Sequence, residues 1–173
     1  MRLNAICKTL GTAALALAFV AAPIQAPAQS DGTVLNVTQV RKMLPASVYY
    51  KGQSATTQLR NSGGVKFSDG YYVLAVLVDN SGYSTDIATK YQAYFITEVP
   101  IHIGDKSLPA GIYGVGFING HKFVVTDVGA HELFSVPYKT DEAMKRPRPL
   151  QVLADSAGGY RLYYGRDWVH FSR

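Results

Sequence analysis

Two dipeptides, Asp69-Gly70 and Asn119-Gly120, each set between apolar runs, constrain this chain more than any other feature. Both read as type I′ hairpin turns, whose two central residues need positive φ and whose flanking strands must pair. Further turn signals at Asn80-Ser81-Gly82, Gly104-Asp105, Gly158-Gly159 and Gly165-Arg166-Asp167 recur about every ten residues. Segments that fit strands lie between them: 47–50, 55–59, 65–68, 71–78, 92–97, 100–103, 112–118, 121–128, 150–154, 160–164 and 168–171. No long helical pattern intervenes. The expected fold is all-β and hairpin-rich, an antiparallel β-sandwich, with a barrel as second choice.

The run Tyr71 to Val78 has no polar face, so it belongs at the centre of a sheet covered on both sides. A two-residue loop at Asn119-Gly120 would pair Gly116 with Phe123 and Gly114 with Val125. The glycines would then leave a notch that Phe123 covers, unless a ligand or a neighbouring segment fills it. One short helix is expected over 38–44, from Val40, Met43 and Leu44, capped by Thr38 and ended by Pro45.

The chain begins as an export signal. Arg2 and Lys8 form a basic start, residues 9–22 are almost wholly small and apolar, and Ala26-Pro27-Ala28 supplies small residues where a signal peptidase reads. Cleavage is expected between Ala28 and Gln29, because cutting after Ala26 would place Pro27 at the new terminus. The apolar run falls short of the roughly 20 residues that span a bilayer, which weighs against an uncleaved anchor. The expected layout is a signal peptide over 1–28, a polar leader and short helix over 29–45, and one β domain over 46–173. Cys7, the only cysteine, leaves with the signal, so the exported part forms no disulfide and has no thiol chemistry. Its charge falls from +5 to +3 when Arg2 and Lys8 go. The basic residues are scattered, apart from Lys145-Arg146-Pro147-Arg148 in a proline-rich connector. Nothing points to nucleic acid, and the membrane is engaged only through the signal.

Patterns that approach catalytic motifs fail on context. Gly114-Val115-Gly116 lies in a strand, where it cannot open a phosphate-binding helix. His131-Glu132 has Ser135 where a zinc protease needs its second histidine. His121 and Asp127 stand roughly 20 Å apart along one strand. Asp127 and His131 could meet around Gly129, but two ligands do not make a zinc site. No metal, cofactor or catalytic residue is assigned.

The C-terminal aromatics are the best binding material: Tyr163, Tyr164, Trp168 and His170, with Trp168 and His170 on one strand face and Val169 and Phe171 on the other. Leu108-Pro109-Ala110-Gly111-Ile112-Tyr113 resembles a strand-opening segment, LPAG-x-Y, of uncharacterised bacterial exported β-sandwich proteins. That resemblance implies a sandwich and an envelope location, without transferring an active site. The functional expectation is an exported binding or structural module of the cell envelope, periplasmic or secreted, whose partner is an envelope protein, a peptide or a glycan. The alternatives are a secreted hydrolase with an unrecognised site and a carrier of a small apolar ligand.

Overall fold

The computed structural model describes residues 31–173; the stretch expected as a signal peptide, with Cys7 and the Ala28–Gln29 junction, lies outside the described residues. In chain order the elements are β1 (Gly32–Leu35), α1 (Val37–Val40), β2 (Ser47–Tyr50), β3 (Gln53–Phe67), β4 (Tyr72–Val78), α2 (Thr85–Lys90), β5 (Ala93–Thr97) and β6 (Ile101–Ile103). There follow β7 (Lys106–Leu108), β8 (Gly111–Ile118), β9 (Lys122–Thr126), β10 (Glu132–Pro137), β11 (Lys139–Thr140), β12 (Leu150–Ala154), β13 (Tyr160–Tyr164) and β14 (Asp167–Ser172).

These strands build two antiparallel sheets, a sandwich that does not close into a barrel. The first has the order β1-β3-β4-β5-β8-β9-β10, with β2 on β3, and the second β12-β13-β14-β6-β7, with β11 on β14. The chain crosses to the second sheet for the β6–β7 hairpin, returns for β8 to β10, and crosses again at β11. Residues 32–35, read from sequence as polar leader, form a strand of the first sheet paired with β3, and α1 packs on a core.

The first sheet is buried on both faces. Val73, Ala75 and Leu77 of β4 enter the core between the sheets with Phe95, Phe123 and Phe171. Leu74, Val76 and Val78 enter a second core with Val40, Val48, Tyr50 and Tyr91, under a layer made by α1, α2 and the β2–β3 hairpin. This is why β4 has no polar face. The sheets approach closely where β12 passes β3: a Cβ on Gly63 would stand 2.7 Å from the Val152 amide nitrogen.

Three local expectations change. At Asn119-Gly120 the positive φ values fall on Gly120 (79°) and His121 (57°), and Ile118 pairs with Lys122. The loop thus has three residues, and the one-residue slip reverses β9. Phe123 and Val125 face the inter-sheet core, while Gly116 lies opposite Val124. Phe123 therefore does not cover the notch. The α2 segment and the tyrosines do: a Cβ on Gly116 would meet the Lys90 carbonyl oxygen at 2.6 Å, and one on Gly114 the Tyr50 ring at 2.7 Å.

At Asp69-Gly70 only Gly70 has positive φ, and pairing resumes at Lys66 with Tyr72. The two-residue turn with both φ values positive is at Lys51 (48°) and Gly52 (83°), where Tyr50 pairs with Gln53. Finally, α1 is capped by Asn36 in place of Thr38, which lies inside the first turn. The Asn36 side chain accepts from the Gln39 amide at 3.0 Å, and the Gln39 side chain accepts from the Asn36 amide at 2.9 Å.

Candidate functional site

Alternation along β13 and β14 sorts the C-terminal aromatics. Leu162, Val169 and Phe171 point into the inter-sheet core, which leaves Arg161, Tyr163, Trp168 and His170 on the outer face of the second sheet. Cross-strand pairing sets Tyr163 beside Trp168 and Arg161 beside His170. On the other edge of β14, Lys139 of β11 pairs with Trp168. The indole thus has a basic residue on each neighbouring strand.

Both cations reach it. The Arg161 guanidinium carbon stands 4.0 Å from the indole centroid and the Lys139 ammonium 5.4 Å. Their charges are managed differently. Arg161 donates to Asp155 from Nε and from a terminal nitrogen, both at 2.8 Å, forming a two-point clamp on a nearly buried carboxylate. The guanidinium holds the Asp155 carboxyl below the usual carboxylate range, and the clamp raises Arg161 further above its own. Lys139 has no carboxylate within ion-pair distance among the described residues.

A groove of about 510 Å³ opens beside Trp168, within the size range of small-molecule sites. It lies where β14 passes from its pairing with β11 to its pairing with β6. Lys139 of β11 lines it, as do Gly104 and Asp105 of the β6–β7 turn. Val136 and Val169, both core residues, form its floor, and Pro137, Trp168 and His170 complete the wall. The His170 Nε2 lies 2.9 Å from the Gly158 carbonyl oxygen. A carbonyl only accepts, so Nε2 carries a proton and Nδ1 is left to accept. Asp105 is matched by Lys106 at 2.9 Å.

The structure therefore brings only two of the four residues singled out from sequence to the groove. Trp168 and His170 share the groove. Tyr163 is buried beneath the 141–149 connector, with its hydroxyl 3.3 Å from the Asp141 carboxylate. Tyr164 lies away from the groove, stacked on Phe117 with ring centroids 5.8 Å apart. Sequence reading missed Lys139, Arg161 and Asp155. The signal for Arg161 was present, since alternation puts it on the Tyr163 face, but β11 has only two residues and gives no pattern.

The chain matches no protein-family model, no characterised protein and no solved structure at a significant level.

Two other clusters resolve into structure. Asp127 and His131 do meet around Gly129, with 2.9 Å between carboxylate and ring, but the same carboxylate accepts from the Gly129 and His131 amides. No group of three or more His, Cys, Asp or Glu side chains stands ready for a metal among the described residues. Under the outer layer, Tyr50 and Tyr91 stack at 3.6 Å, and the Tyr50 hydroxyl bonds Thr126 at 2.6 Å. The Tyr91 hydroxyl is buried with no hydrogen-bond partner among the described residues, and burial pushes its pKa far up.

Proposed function

We propose that this protein is an exported module of the cell envelope that holds a ligand in the groove beside Trp168 and binds it without performing chemistry. One observation carries the reading: a groove floored by core residues places side by side an indole and an ammonium that has no carboxylate partner among the described residues. A floor of Val136 and Val169 cannot shift without disturbing the sandwich, so the site is formed before ligand arrives. Its remaining polar groups support binding over catalysis. Nε2 of His170 is engaged by a backbone carbonyl and Asp105 by Lys106, and no hydroxyl or thiol side chain stands among the lining residues for His170 Nδ1 to activate.

Trp168 is the only tryptophan in the chain, so its emission reports on the groove alone. The test titrates the exported chain with soluble envelope fragments, peptides and oligosaccharides, and follows fluorescence. Binding should shift or quench the emission, and Trp168→Ala should abolish the heat of binding in calorimetry. Emission unmoved by every member of such a panel, or binding that survives Trp168→Ala, would refute the assignment.

A further inference from the structure

We propose that the ligand is a carboxylate-bearing sugar, with its carboxylate on Lys139 and its ring along the indole of Trp168. This rests on the groove being a ligand site, and it fixes the ligand's chemistry. Charge comes first. Arg161 is spent on Asp155 and Lys106 on Asp105, so Lys139 is the one groove cation left without a carboxylate among the described residues. A single uncompensated ammonium suits a monoanion. A phosphate dianion would want several N–H donors and would be repelled by Asp105 on the opposite rim.

Shape comes second. On this side β14 is paired with β11 and then β6, and the His170 carbonyl between them accepts from the Gly104 amide at 3.2 Å, so an extended peptide finds that edge already taken. A compact ring needs no strand edge to pair with. The indole and the valine floor meet its C–H surface, while Asp105 and His170 stand at the rim where hydroxyls would project. The surroundings add weak steering. Residues 139–173 carry seven basic and four acidic side chains, and Lys145, Arg146 and Arg148 are exposed on the connector beside this face.

The experiment compares trigalacturonate with its neutral methyl ester and with triglutamate, by calorimetry on the exported chain. The ester keeps the ring and removes the charge. Trigalacturonate should bind about tenfold more tightly than its ester, the worth of one charge-assisted contact. Lys139→Met keeps the aliphatic stem and should bring the acid down to the level of the ester. Salt at about 0.5 M should weaken the acid and spare the ester. An unchanged thermal melt shows that the variant is folded, and the acid–ester comparison on the natural chain decides the matter if it is not. Equal binding of acid and ester, insensitivity to Lys139→Met, or tighter binding of triglutamate would each overturn the acidic sugar. Those outcomes leave the groove's binding role intact if Trp168→Ala still abolishes binding. A panel in which nothing binds overturns both.

Discussion

Gly116→Ala isolates the contact between α2 and β8. Gly116 is not among the glycines with positive φ, so alanine suits the backbone and any cost is steric. The new methyl would stand 2.6 Å from the Lys90 carbonyl oxygen, 2.8 Å from its carbon and 2.9 Å from the Thr89 oxygen. Carbon contacts relax to about 3.5 Å, so the end of α2 would have to withdraw by roughly 0.5–1 Å. It is not free to do so. The Asn80 side chain donates to the Ala88 and Tyr91 carbonyls, both at 2.8 Å, and the Gln92 side chain bonds the Phe117 backbone twice, at 2.9 and 3.0 Å. The expected cost is about 1–3 kcal/mol, or about 3–10 °C in Tm for a domain of this size.

Circular dichroism melts and urea titrations measure that cost, and a double-mutant cycle with Phe123→Ala assigns it. Phe123 lies on the opposite sheet face, so removing its ring should leave the Gly116→Ala penalty unchanged to within about 0.5 kcal/mol. If the ring covered Gly116 instead, its removal would make room for the methyl and the penalty would shrink. Either that coupling, or a Gly116→Ala melt within about 0.5 kcal/mol of the natural chain, would refute the packing of α2 on this glycine.

Tyr91→Phe should raise stability by about 1 kcal/mol in a urea titration, because it removes a buried hydroxyl that makes no hydrogen bond among the described residues; a loss would reveal a partner. Tyr50→Phe should lower stability by about 1 kcal/mol, since it breaks the bond to Thr126. The Asp155 carboxyl titrates lower in the folded chain than the unfolded value of about 3.9, so its stabilisation is complete above that value and is lost as pH falls through the folded one. Asp155→Asn should therefore lower Tm at neutral pH and flatten the decline in Tm below about pH 4. Intact mass of the exported protein should correspond to a chain starting at Gln29; retention of residues 1–28 would contradict the export reading.

What was legible in the sequence was what side-chain pattern alone decides. The unbroken apolar run of β4 gave its central position. β2, β12 and β13 appear with the boundaries read from their sequences, and Trp168 and His170 share a face as alternation requires. Backbone geometry was harder to read. Asn119-Gly120 and Lys51-Gly52 differ little as text, yet the second forms the two-residue turn and the first takes His121 into a three-residue loop. That single φ value exchanged the faces of β9 and misassigned the cover of Gly116. The α2 helix has Ile87 as its only large apolar residue, so it showed no helical stripe; it is held by the glycines beneath it. At the groove, Trp168 could be found by its type, but Lys139 and Arg161 matter through their pairing partners, which a sequence does not display.

Because the first sheet serves as the wall of two separate cores, the domain has two ways to open. Detaching α1, α2 and the β2–β3 hairpin would expose the tyrosine-rich core while leaving the inter-sheet core sealed. Amide hydrogen exchange should register this as two classes of protection. Protons in β2 and α1 would be released through a partial opening, well below the free energy of complete unfolding, whereas those in β4 and β5 would wait for the whole sandwich to come apart. The groove at Trp168 is lined by β14, β11, the β6–β7 turn and β10, none of which detaches, so it would keep its shape throughout the smaller event.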